Sequence, residues 1–218
     1  MLTKSAFSPS ERRILSKLNS PRKIQDFLDN LDYTFGENGE LYYSPRKVLS
    51  EKSADCLEGA VFAAAALRFH GNKPLVISTS SVRDDDHVFA LFKNGGHWGA
   101  ISKSKYTGLS YREPIHRNLR ELMISCFEGY FNYDGEKTLR GYSRIVNLAR
   151  FDKLDWMTTG RPISFIEEYL NEVPYYWILK NGAVRRLRRV TPIMLRSGEL
   201  WLTENKMLER AKKVFRKT

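Results

Sequence analysis

Asp55-Cys56-Leu57-Glu58-Gly59-Ala60-Val61-Phe62-Ala63-Ala64-Ala65-Ala66-Leu67-Arg68-Phe69 is the stretch on which the fold turns. Asp55 is a good helix N-cap, and Gly71 stands where a helix begun at Cys56 would end. The Ala-rich middle predicts a helix over about 56–69, packed closely against other elements. A thiol in its first turn faces unpaired N–H groups and the positive end of the helix dipole, both of which favour an anion. A cysteine attacks a carbonyl as its thiolate. Its free pKa of about 8.5 is lowered by a helix N-terminus or a nearby imidazolium. The same N–H groups can form an oxyanion hole. The competing use of such a residue is structural, as a small buried side chain that begins a core helix.

Downstream of this helix the period changes from helical to alternating. Residues 74–78 read as a short buried strand, and residues 86–92 and 97–104 as two more, joined around Lys93-Asn94-Gly95-Gly96. His87 opens the middle strand and shares a face with Phe89 and Leu91, while Val88, Ala90 and Phe92 share the other. A histidine at a strand end can reach a packed helix terminus and take the proton of Cys56. A third group should orient the imidazole. A turn at Asn94-Gly95 pairs Lys93 with Gly96 and sets His87 opposite Ser102. A turn one residue different brings Ile101 or Lys103 there instead, and Ser104, on the face of Ser102, is the next candidate. A serine hydroxyl can hydrogen-bond the ring but cannot stabilise an imidazolium as a carboxylate would. Asp86 is the nearest carboxylate in sequence. Glu58 points to another face of the helix, into solvent or into a structural ion pair with Arg112. Trp98 and Tyr111 are either cleft-lining or core aromatics.

Ser20-Pro21 opens a helix whose apolar side is Ile24, Phe27, Leu28 and Leu31, and Ser44-Pro45 opens a shorter one with Val48 and Leu49. Gly36 to Gly39 reads as a turn. Helical spacing returns over 115–130, again over 163–170, and last over 203–217, where Met207, Leu208, Ala211, Val214 and Phe215 oppose Lys and Arg. Asn181-Gly182, between Tyr175-Tyr176-Trp177 and Arg185-Arg186-Leu187-Arg188-Arg189, predicts a second hairpin. Helices, then strands, then helices make an α+β chain rather than a series of βαβ units.

The 218 residues suffice for one domain with a real core. No apolar run approaches the roughly 20 residues of a membrane span, and the first residues hold no signal-type apolar segment. The two cysteines, Cys56 and Cys126, both fall in helical patterns and make no disulfide framework. A cytoplasmic location is therefore expected. No metal and no cofactor are expected: Cys56, His87 and His97 match no zinc spacing, and Asn94-Gly95-Gly96 is a turn rather than a phosphate loop. The net charge of +11 is uneven. Residues 180–218 hold 12 Lys and Arg against 3 Glu, leaving 24 bases and 22 acids in the 179 residues before them. Any attraction to nucleic acid or to an acidic partner belongs to that tail.

Asp55-Cys56-x-Glu58-Gly59-Ala60 on a helix, Asp86-His87-Val88 on a strand and Gly96-His97-Trp98-Gly99-Ala100-Ile101-Ser102 on the next resemble the transglutaminase-like superfamily. From Ser20 to about Trp156 the chain looks more closely like a bacterial branch of it with no assigned activity. Trp98-Gly99-Ala100-Ile101-Ser102-Lys103, Tyr111-Arg112-Glu113-Pro114 and Leu119-Arg120-Glu121-Leu122 carry that likeness. The resemblance implies a papain-like core over 1–156, with Cys56 as nucleophile and His87 as base. Residues 157–218 are then a basic extension packed on it, made of a helix, a hairpin and a terminal helix. The family's aspartate falls four residues after the strand tryptophan, where this chain has Ser102. An enzyme acting on amide bonds of a protein or peptide substrate is the first functional expectation. A catalytically inactive binding module of the same fold is the second, and a nucleic-acid-binding accessory protein using residues 180–218 is the third.

Overall fold

The computed structural model describes residues 5–35, 42–180 and 182–204. Helices α1 (Pro9–Lys17) and α2 (Pro21–Asp29) each start with a serine N-cap followed by proline. Proline suits that position because its missing N–H would have no helical partner. The repeated spacing marks α2 but not α1, whose signal is local: Ser8 and Glu11 form a capping box. Strand β1 (Asp32–Tyr33) pairs in parallel with β2 (Ser53–Ala54), and α3 (Pro45–Glu51) lies between them in sequence. Helix α4 (Cys56–Phe69) follows β2 directly, with Asp55 as its N-cap and Gly71, at φ +89°, just past its C-cap His70, as the sequence predicts.

Seven strands form one antiparallel sheet: β3 (Leu75–Ser81), β4 (Val88–Asn94), β5 (His97–Ile101), β6 (Arg112–His116), β7 (Leu139–Ser143), β8 (Val146–Asn147) and β9 (Tyr175–Trp177). Their order is β6-β5-β4-β3-β7-β9, and β8 pairs with the N-terminal half of β3. The architecture is α+β. Alternation in β4 divides the core. Val88, Ala90 and Phe92 pack with the alanines of α4, whereas Phe89 and Leu91 pack on the other face with Leu122 and Met123. Gly59 allows the closest approach of α4: a Cβ there would lie 2.5 Å from Lys103 Cβ.

Three expectations are corrected. The first concerns the hairpin turn, which is Gly95-Gly96 rather than Asn94-Gly95, so Asn94 faces His97 and Ala90 faces Ile101. Both glycines have positive φ, 55° and 82°, as a two-residue hairpin turn of the favoured hand requires. The register therefore moves by two positions, and every side chain keeps its face. The second is that residues 115–130 are not one helix. Ile115 and His116 end β6, Asn118 caps α5 (Leu119–Ile124), and a 3₁₀ turn covers Phe127–Gly129. Pro114 breaks no ladder because β6 is an edge strand. The third is that Tyr175-Tyr176-Trp177 does not fold back on the arginines. It pairs with β7, where Trp177 lies against Gly141, and Val184–Arg186 is a 3₁₀ turn.

The turn expected at Gly36–Gly39 lies outside the described residues, as does Asn181. So does most of the last predicted helix, of which only residues 203–204 are described, ending α8 (Leu200–Glu204). Helix α7 (Pro192–Gly198) precedes it. Helix α6 (Ser164–Glu172) buries Ile166 and Leu170 in the same cluster as α4, so this part of the basic extension belongs to the main core. No helix among the described residues is long and apolar enough to cross a membrane.

Candidate active site

A narrow cleft opens where β4 begins, lined by Cys56 and His87 together with Tyr33, Ser104, Lys105 and Asp85. Cys56 occupies the first position of α4 and is half-buried. Asp55 and Glu58 fix that helix start by a capping box: Asp55 Oδ1 accepts from Glu58 N–H at 2.8 Å, and Glu58 Oε2 accepts from Asp55 N–H at 3.0 Å. Glu58 also accepts from Tyr43 N–H at 2.8 Å and from Thr34 Oγ1 at 3.3 Å. Its expected ion pair with Arg112 is absent, and it is buried rather than in solvent. Glu58 thus stabilises the turn that carries the cysteine and ties it to the segments beside β1 and α3. With Glu58 N–H taken by Asp55, helix geometry leaves the Cys56 and Leu57 N–H groups without intrahelical acceptors.

His87 is 6% exposed. Its backbone is held on both sides by Thr79: His87 N–H donates to Thr79 Oγ1 at 2.8 Å, and Thr79 N–H donates to His87 O at 2.8 Å. The ring stands edge-on to Phe89, with centroids 4.7 Å apart. Nε2 lies 3.0 Å from Ser102 Oγ and 3.2 Å from Leu109 O. Ser102 Oγ in turn donates to Leu109 O at 2.6 Å. These contacts assign the tautomer. A carbonyl only accepts, and the serine's one proton is spent on that carbonyl, so Nε2 must carry the ring proton. Nδ1 then holds the free lone pair, and it has no hydrogen-bond partner among the described residues. That is the protonation state of a general base.

Ser102 is fully buried. The two-position register shift sets it diagonal to His87 rather than opposite, which is still within side-chain reach. A hydroxyl suits this spot because it accepts from the ring while donating to Leu109 O. A carboxylate in its place would put negative charge against the Leu109 carbonyl and, at longer range, that of Ser110.

The supporting residues expected from sequence divide. Asp86 does not touch the imidazole. Its Oδ1 accepts from Ser81 N–H at 2.6 Å and Ser81 Oγ at 2.9 Å, which ties off the loop before His87. Ser104 lines the cleft, but its hydroxyl accepts from Tyr106 N–H at 2.9 Å. Trp98 lies at the far end of β5, with Lys93 Nζ 4.3 Å above its ring, and Tyr111 stacks on Phe92; neither lines the cleft. His97 is exposed near the turn and His116 bonds to Trp98 O, so neither joins Cys56. Among the described residues no group of His, Cys, Asp and Glu is arranged to hold a metal ion.

Three contributors escape the sequence reading. Lys105 pairs with Asp85 inside the cleft, and its side chain is 12% exposed. Leu109 contributes only its carbonyl, which no residue type encodes. Gln25 holds the backbone of Ser102. Gln25 carries one readable sign: a polar residue beside Ile24 on the buried side of a helix.

The electrostatics describe a neutral resting pair. Burial, reinforced by Asp55 and Asp85, pushes the Cys56 thiol up, against the pull of Lys105 and the Val88 backbone. Burial brings His87 down to about 3; Arg112 and Lys105 act in the same direction, while the Leu109 carbonyl and Asp85 oppose. Burial also lifts Asp84 to about 6, against its hydrogen bond from Thr138. The thiol donates weakly to Asp86 O at 3.9 Å, and no hydrogen bond joins it to the His87 ring among the described residues.

No family model matches this chain, and a search of curated proteins finds no match.

Proposed function

We propose that the protein is a transglutaminase-like cysteine enzyme that acts on amide bonds through a thioester. The observation that carries this reading is the hydrogen bonding of His87, which leaves Nδ1 as a base in a cleft shared with a helix-terminal cysteine. In the proposed cycle Sγ attacks the substrate carbonyl carbon as its proton passes to Nδ1. The Cys56 and Leu57 N–H groups face the oxyanion. The carbon–nitrogen bond then breaks, the imidazolium returns the proton to the leaving amine, and an acyl thioester remains. Water or a second amine, deprotonated by His87, attacks that thioester; the carbon–sulfur bond breaks, the imidazolium returns its proton to Sγ, and an acid or a new amide is released. The neutral resting pair favours proton transfer during the attack over a preformed thiolate–imidazolium pair. Catalytic hydrogen bonds are often long before substrate binds.

The test uses the full chain and p-nitrophenyl acetate as a small acyl donor. Mass analysis should find acetyl on Cys56, absent in Cys56→Ala, with acylation slowed about 10²-fold or more in His87→Ala. Wild-type acylation rates in His87→Ala would overturn the enzyme reading. They would favour an inactive binding module, which the lack of a carboxylate on His87 already suits; Cys56→Ala would then leave every phenotype intact.

A further inference from the structure

Strand β5 ends at Ile101, the last residue of its ladder with β4. Ser102 therefore needs partners for its backbone away from the sheet, and it is fully buried. Gln25 of α2 supplies them. Its Nε2 donates to Ser102 O at 2.9 Å, and its Oε1 accepts from Ser102 N–H at 3.1 Å. The second Nε2 proton goes to Asp29 Oδ1 at 2.8 Å. With two acceptors facing Nε2 and one donor facing Oε1, the carboxamide has a single satisfactory orientation. Gln25 is only 4% exposed, in a helix whose other buried residues are Ile24 and Leu28. Leucine would fill the same space, so the amide needs its own explanation.

We propose that Gln25 is a positioning residue of the candidate site: its carboxamide acts as a one-residue strand that fixes Ser102, and through the Ser102 hydroxyl it holds the His87 ring with Nδ1 unprotonated. This rests on the reading of His87 as the base. The chain of contacts is short and all of it is buried: amide to backbone, hydroxyl to Nε2, and both hydroxyl and ring to the Leu109 carbonyl. Without the clamp the Ser102 backbone can rotate, its hydroxyl leaves the ring, and Nε2 keeps a single, longer partner. The charged and titratable groups around His87 are Arg112 from β6, Lys105 and Asp85 from the cleft loops, and Cys56, Asp84 and Asp86, which line the same cleft. Among the described residues none of them is hydrogen-bonded to Gln25, whose side chain bonds to Ser102 and Asp29, so the shortest bonded route from Gln25 to the ring runs through Ser102.

The experiment reads the ring directly in the full chain, with ¹⁵N-labelled histidine and nitrogen shifts followed from neutral to acid pH. The protein has four histidines, and His87→Gln identifies the signal. In the wild type His87 should show one tautomer, protonated on Nε2, and stay neutral through the range in which ordinary histidines titrate. Gln25→Leu should give mixed tautomers or a ring that takes up a proton in that range. Ser102→Ala should do the same, and the double variant should add nothing beyond the larger single effect. A Gln25→Leu protein with a lower Tm and an unchanged His87 spectrum would overturn the proposal and leave Gln25 as packing. If Gln25→Leu does not fold, Gln25→Glu keeps the length and the acceptor while losing the donor to Ser102 O; it should move the ring in the same direction, and an unmoved ring overturns the proposal. In acylation, Gln25→Leu should slow the wild type about tenfold and have no effect in a His87→Ala background. The ring spectra need no substrate, so failure of the enzyme reading is distinguishable from failure of the clamp.

Discussion

Replacing His87 by glutamine should abolish a loss of stability that the wild type suffers on acidification. In the folded chain burial holds this ring near a pKa of about 3, against 6.5 as its ordinary value. As pH falls below 6.5 the unfolded chain binds a proton there that the folded chain refuses, so the unfolded state gains ground. Below about 3 both states are protonated and the effect saturates. Each pH unit between those limits is worth about 1.4 kcal/mol. From about pH 7 to about pH 4.5 the imidazole should therefore cost roughly 2.7 kcal/mol, close to a hundredfold in the folding equilibrium. Asp84 works in the opposite sense. Its carboxyl is raised to about 6 from 3.8, so the folded state binds a proton first and gains stability as pH falls through 6. Its gain over the same interval is roughly 2 kcal/mol, which masks most of the imidazole's loss in the wild type alone. The difference between His87→Gln and wild type cancels Asp84. Urea unfolding at the two pH values should show the variant improving relative to wild type by about 2.7 kcal/mol on acidification. Parallel pH dependence in the two proteins would refute the buried neutral imidazole, and with it the tautomer assigned from its contacts.

Cys56 should react slowly with iodoacetamide near neutral pH, because its thiol is pushed up; Lys105→Met should slow it further and Asp85→Asn should speed it, read by peptide mass. Glu58→Ala should lower stability by about 1–2 kcal/mol in urea melts, since it leaves the half-buried Tyr43 and Asp55 N–H groups without their acceptor. Gly59→Ala should lower Tm at a cost of about 1–3 kcal/mol, because its methyl would press α4 away from Lys103. Ser102→Asp, which introduces the aspartate of the superfamily that the sequence resembles, should destabilise the protein in the same assay rather than activate it, since the new carboxylate meets the Leu109 carbonyl.

The parts legible in sequence were those written in local chemistry. Asp55 and Gly71 mark both ends of α4, and alternation through β4 puts Phe89 and Leu91 on one face, with the His87 ring against Phe89. The Ser102–His87 contact follows from the sequence even though the Asn94-Gly95 turn it implies lies one residue before the real one. It survived because the register error was even, so both side chains stayed on the face assigned to them. The role of Glu58 is not legible in sequence, because its carboxylate bonds only to N–H and hydroxyl groups and has no charged partner to mark it. β9 was misassigned because Asn181-Gly182 signals a turn without saying which strand Tyr175 joins, and β7 is more than thirty residues away along the chain. Leu109 lay beyond reach for a different reason: its contribution is a carbonyl oxygen that every residue carries.

The strand order also sets a timetable for assembly. β3, β4, β5 and β6 are successive in sequence and adjacent in the sheet, so they can form as a meander with short connections. β7 must cross some sixty residues to reach β3, and β9 must wait for β7. Hairpins close in about 1–10 µs, whereas non-local pairings are slower. During synthesis the His87–Ser102 contact should be attainable once the segment through β6 has emerged, before the strands that complete the sheet exist. Pulse-labelled hydrogen exchange during refolding should find amides of β4 and β5 protected ahead of those in β7 and β9; simultaneous protection would mean that the sheet forms as a single cooperative unit.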